Sequence, residues 1–130
     1  MSCFAKTLGH EWAKASLHPR IDDLLNRQNY LLRITSLRTV ASLSKVYPPD
    51  VAHQCFTPMV ATTAADPVAN VRLNTCKCIE VMLRSAAAAS TAASSAMTER
   101  LVKIAQELRL DADRDVAHWA QALEPATQAA

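Results

Sequence analysis

The sequence predicts an all-α fold, and three observations carry that prediction. A single glycine in 130 residues leaves almost none of the turn and bulge chemistry that sheets depend on. Alanine and leucine, both strong helix formers, recur throughout, and half the residues are apolar, enough for one continuous core in a chain of this length. The third observation is a repeat. Two segments superimpose without a gap at an offset of 39 residues, bringing Pro19 onto Pro58, Leu32 onto Val71, Arg33 onto Arg72 and Arg38 onto Lys77. A period near 40 with helical patterning predicts stacked helical pairs that share one core.

Each unit reads as two helices. In the first unit, residues 10–47, one helix runs from about His10 to Leu25, and the second begins at Asn29 and carries Leu32, Leu37, Val40 and Leu43. In the second unit, residues 48–84, a helix spans about Asp50 to Thr63 after the Pro48-Pro49 break, with Asp50 as its N-cap. Its partner starts at Asp66-Pro67, a capping carboxylate followed by proline at the first helical position. There Val68, Val71, Thr75, Ile79 and Met82 recur at spacings of three and four and predict one buried stripe. Pro19 and Pro58 fall mid-helix, where the missing N–H predicts a kink. A third, more worn unit covers residues 98–124. Thr98 caps a helix with Leu101, Ile104, Ala105 and Leu108, and Asp113 or a neighbour starts a last helix with Val116, Trp119, Ala120 and Leu123. In residues 85–97 the alanines can prolong the preceding helix while the serines and threonines loosen its end, and a long and mobile connection is expected. Residues 1–9 read as the end of a preceding repeat and 125–130 as a tail.

Composition narrows the function classes. The formal charge is +2 with acids and bases mixed along the chain, so no sequence-local basic stripe marks a nucleic-acid partner. No apolar run approaches the ~18 residues of a membrane span, and the N-terminus lacks an apolar signal region. A soluble cytoplasmic protein is expected, with the nucleus also open to it. Cys3, Cys55, Cys76 and Cys78 form no CxxC pair and have no histidine at metal-ligand spacing. On a helix Cys76 and Cys78 stand about 200° apart, so reduced thiols are expected, with no metal and no cofactor. His10, His18, His53 and His118 come singly. Asp22 and Asp23 diverge by about 100° and make no catalytic pair. The serines of 85–97 lack the strained elbow of a nucleophile. A non-catalytic protein is expected.

A helical pair with proline in its first helix, and Asp66-Pro67 through Val71-Arg72 opening its second, resembles a HEAT repeat; about three such pairs would stack as an α-solenoid. In such stacks Asp66 and Arg72 can form a ladder of charge-assisted hydrogen bonds between neighbours. The first unit has Arg27-Gln28 where the second has Asp66-Pro67, which removes one acceptor. More specifically, GHEWAKASLHPRI, NYLLRITSL, DPVANVRLN and the closing DRDVAHWAQAL resemble the last three repeats of the protein phosphatase 2A scaffold (A) subunits, nearly gap-free to about Arg84.

That resemblance implies a scaffold that binds the phosphatase catalytic subunit along a ridge of loops and second-helix starts. Carried over position by position, Tyr30, Arg33, Val68 and Lys77 become the expected contacts: the cations for acidic or carbonyl groups, Tyr30 and Val68 for apolar surface. Each has a structural alternative. Arg33, like Arg72, serves equally as a ladder residue, Tyr30 and Val68 as packing residues, and Lys77 as a solvated surface group. The family's N-terminal repeats, which hold the regulatory subunit, have no counterpart, so that partner is not expected. An uncapped N-terminal face is expected too, to be explained by self-association or by truncation of a longer scaffold. A HEAT adaptor for an unrelated protein is the alternative function.

Overall fold

The computed structural model describes residues 10–123. The expected end of a preceding repeat at residues 1–9, with the face it would leave uncapped, and the tail at 125–130 lie outside the described residues. Among the described residues every regular element is a helix. Seven helices follow in order: α1 (His10–Ser16), α2 (His18–Leu25), α3 (Tyr30–Ser44), α4 (Pro49–Thr63), α5 (Ala69–Ala89), α6 (Ala92–Leu108) and α7 (Arg114–Ala122). None of these helices is long and apolar enough to cross a membrane.

The helices form two layers. Within successive pairs α2 packs on α3, α4 on α5 and α6 on α7, while α3, α5 and α7 pack side by side and α4 lies against α6. α5 is the hub, touching α3, α4, α6 and α7. Helical spacing explains the core between the layers: Leu37, Val40 and Leu43 from α3, Phe56 and Val60 from α4, Val71, Thr75, Ile79 and Met82 from α5, and Leu101, Ile104, Ala105 and Leu108 from α6 are all buried. The apolar stripes read from the sequence are thus the surfaces that meet. Three members sit at their margins, since Leu32 and Trp119 are half-buried and Val68 precedes its helix and packs on the core from outside.

Helix ends differ from expectation in ways that local chemistry explains. The first helix breaks at Leu17, so that Pro19 lies in the first turn of α2, where its missing N–H costs nothing. α4 is preceded by Pro48, and Asp50 lies in its first turn rather than at the cap, still favourably placed near the positive helix end. α5 starts at Ala69, not at Asp66-Pro67. Asp66 instead folds a turn, its Oδ1 accepting the Val68 N–H at 2.9 Å. Asn29 and Asp113 do cap, accepting from Leu31 N–H at 3.0 Å and from Asp115 N–H at 2.9 Å.

The largest departure is in residues 85–97. No long connection exists there. α5 runs on through its alanines to Ala89, Ser90 takes a left-handed conformation with φ of 50°, and Thr91 opens α6 in a reciprocal capping box with Ser94. Alanine carries the lowest helix cost, and the serines and threonines act at the boundary, where their side chains replace missing backbone partners. Thr98, expected to be a cap, is buried inside α6.

Candidate binding edge

The loops that join the two helices of each pair, residues 26–29, 64–68 and 109–113, are stitched together by one motif used twice. From the second turn of α3, Arg33 reaches Asp66 of the next pair with both arms of its guanidinium, Nε to Oδ2 at 2.7 Å and Nη2 to Oδ1 at 3.1 Å. From α5, Arg72 does the same to Asp111, at 2.7 and 3.0 Å. Both are fork-to-carboxylate pairings, which fix direction as well as distance.

The third arm of each arginine ties its own loop. Nη1 of Arg33 donates to the carbonyls of Arg27 and Gln28 at 2.7 and 2.9 Å, and Nη1 of Arg72 donates to the carbonyl of Asp66 at 2.8 Å. Each aspartate also turns its backbone, since Asp66 Oδ1 accepts from Val68 N–H and Asp111 Oδ1 from Asp113 N–H. One carboxylate therefore folds the turn before a helix and anchors the preceding pair. The rungs are largely shielded, with side-chain exposures of 12 and 9 % for Arg33–Asp66 and 17 and 10 % for Arg72–Asp111. The Arg72 fork holds the Asp111 carboxyl below its ordinary range, and Asp111 in return raises Arg72; burial opposes both shifts.

The first pair has Arg27 where the others have aspartate. Its carbonyl still receives Arg33, while its side chain turns outward to Asp23 at 2.9 Å, an exposed pair. The loss of the carboxylate thus leaves the Arg33 rung whole and removes only an acceptor for an arginine on the other side.

The four expected contact residues separate into two places. Arg33 and Val68 meet at Asp66, and Tyr30 stands exposed in the first turn of α3 on the same edge. Lys77 is exposed about 13 Å further along α5, at 1.5 Å per residue from Val68, with Nζ 5.3 Å from the centroid of the Trp119 ring. Of the three edge residues only Tyr30 offers an open side chain, because the Arg33 fork is occupied and Val68 is half-buried against the core. Two further residues were missed. Leu31 is 55 % exposed beside Tyr30, and Leu110 is 88 % exposed in the α6–α7 loop beside the Asp111 rung. Their signal in the sequence is an aliphatic residue off the buried stripe.

The two thiols of α5 are poorly suited to thiolate chemistry. Burial pushes both Cys76 and Cys78 up to about 12, so they stay protonated at neutral pH, and Cys78 Sγ lies 4.0 Å from Met82 Sδ. No group of three His, Cys, Asp or Glu among the described residues is placed to hold a metal ion. Comparison of the chain with models of known protein families finds no match, and comparison with curated proteins finds none either.

Proposed function

We propose that this chain is a non-catalytic HEAT-repeat scaffold fragment that binds the protein phosphatase 2A catalytic subunit through the loop edge and the outer face of α5. The observation that carries this reading is the duplicated Arg–Asp rung. It uses the Asp66 and Arg72 of the motif on which the resemblance rests, and it holds successive loops in one rigid line. A line of this kind positions a partner by pre-organisation rather than by chemistry. Tyr30 supplies an amphipathic anchor on the edge, and Lys77, braced on Trp119, supplies a cation on the outer face of α5. The cytoplasm, with the nucleus also open, is the compartment that fits this role.

Calorimetry with purified catalytic subunit tests the reading, comparing the wild-type chain with Tyr30→Ala/Lys77→Glu. Arg33 is left intact, because a glutamate there would face Asp66 and unfold the edge. Binding at micromolar strength or better, weakened at least about tenfold (~1.4 kcal/mol) by the double substitution, is expected. A folded wild-type chain that does not bind would overturn it.

A second reading, an adaptor for an unrelated protein, is favoured by Leu31 and Leu110, which add aliphatic surface to the edge that the resemblance does not call for. A folded chain that does not bind the catalytic subunit would support it.

A further inference from the structure

Four cations that are scattered in the sequence are gathered by the fold onto one seam. Arg38 and Lys45 lie seven residues apart on α3 and at its C-cap, and Lys77 and Arg84 lie seven apart on α5; each of the second two is 39 residues after its counterpart. Seven residues are two helical turns, so each pair lies on one face, about 10.5 Å apart along the axis. α3 and α5 are packed neighbours running in the same direction, since the rung at Arg33–Asp66 joins their N-terminal ends. Arg38 and Lys77 accordingly line one cavity of about 170 Å³, and Lys45 and Arg84 line another of about 450 Å³ nearer the C-terminal ends. Between packed helix axes the separation is about 8–10 Å, so the four cations make a grid of roughly 10 by 10 Å.

The face carries almost no neutralising charge. α3 contains no acidic residue, and α5 contains only Glu80, which pairs with Arg84 at 2.7 Å. All four cations are exposed, and among the described residues no carboxylate forms an ion pair with Arg38, Lys45 or Lys77. Their like charges repel across the seam and are relieved by an anionic partner.

We propose that the α3–α5 seam docks an extended acidic segment of a partner protein, with carboxylates at every third residue. A polyproline II chain rises about 3.1 Å per residue and repeats its side-chain direction every three, so carboxylates three apart fall about 9.3 Å apart on one side. That spacing matches the step from Arg38 to Lys45 and from Lys77 to Arg84. The two cavities give each carboxylate a recess between a pair of cations. The seam shares Lys77 with the phosphatase reading but does not rest on it.

Fluorescence anisotropy with a labelled peptide of four Glu-Pro-Ala repeats tests the proposal on the full chain. The variant Arg38→Gln/Lys45→Gln/Arg84→Gln spares Lys77, so its outcome is separate from that of the phosphatase test. It changes only exposed side chains, and a thermal melt matching wild type shows that it folds. The expected result is binding at low salt that weakens at least about fivefold on raising salt to about 150 mM, and at least about fivefold in the variant. Arg100→Gln/Lys103→Gln, on the outer face of α6, is expected to bind as wild type does. No binding by wild type, equal binding by the variant, or equal loss in the α6 control would overturn it. Tighter binding of a DNA duplex, lost on the same three substitutions, would overturn it in favour of a nucleic-acid surface.

Discussion

The first and middle helical pairs carry a proline at the same repeat position, yet only one of the two first helices is interrupted. Pro19 follows a break at Leu17, whereas Pro58 sits inside an unbroken α4. The difference lies in what each helix buries. On the N-terminal side of Pro58, Ala52 and Phe56 are buried, and on its C-terminal side Val60 is; Phe56 stacks on Tyr47 at 5.0 Å and meets His18 at 5.2 Å. α4 is also gripped by α3, α5 and α6. Ahead of Leu17, Glu11, Trp12, Ala15 and Ser16 are all exposed, and α1 packs substantially on α2 alone. An interior proline costs about 3 kcal/mol, and burying one large apolar side chain recovers about 1.5–3 kcal/mol. Continuity through a proline therefore persists where apolar anchors lie on both sides of it, and none of the described side chains of α1 is buried.

The same contrast extends to the rungs. The middle pair is tied on both sides, by Arg33 to Asp66 and by Arg72 to Asp111, while the first pair contributes a donor to one rung only. Stability should therefore concentrate around α4 and α5, and fray toward α1.

Removing the anchor is the strongest way to break the contrast. Phe56→Ala should cost about 3–5 kcal/mol in urea unfolding, with loss of amide protection in α4 on both sides of Pro58. A loss confined to the residues nearest position 56 would show that burial does not hold the helix through the proline.

Next in size is Arg72→Ala, which leaves a shielded Asp111 carboxylate without its fork and should cost about 2–4 kcal/mol at neutral pH. Asp111 is held below its unfolded value, so its contribution is complete above the unfolded carboxylate pKa of about 3.9 and is lost as pH falls through the lower folded value. The stability gap between wild type and Arg72→Ala should therefore be full at about pH 6 and shrink below about pH 4. A gap independent of pH would show that Arg72 acts through packing alone.

The smallest effects sharpen the proline comparison itself. Pro58→Ala restores a donor inside a continuous helix and should stabilise by about 1–2 kcal/mol, whereas Pro19→Ala, in a first turn, should change stability by no more than about 0.5 kcal/mol. Thermal melts of the two variants suffice. If Pro19→Ala stabilised as much as Pro58→Ala, the break before α2 would be the work of proline and not of missing burial.

Much of the fold was legible because its signals are short-range. The stripe Val71, Thr75, Ile79 and Met82 is a periodicity visible within one window, and the caps at Asn29 and Asp113 are decided by the next two or three residues. The alanine-serine stretch is only half legible: its alanines point to an extension of α5, but its linker-like serines and threonines point to a loose end where the structure has a cap. The outcome turned on the position of two residues, Thr91 and Ser94, which cap each other, and on the alanines before them, which extend α5. Of the site, Tyr30 and Lys77 stand exposed, and the engagement of Arg33 with Asp66 could be foreseen only as one of two roles. Trp119 beneath Lys77 and the four-cation seam could not be read from neighbours in the chain.

By itself, the sequence determined the all-helical class, the buried stripes and several helix boundaries, because propensity, capping and amphipathic period act within a few residues along the chain. The tertiary structure alone decided which arginine meets which aspartate, which proline breaks its helix, and that Arg38, Lys45, Lys77 and Arg84 share a surface. Those outcomes depend on the direction and register in which α3, α4, α5 and α6 pack, and register is a property of the assembled core that no single segment carries.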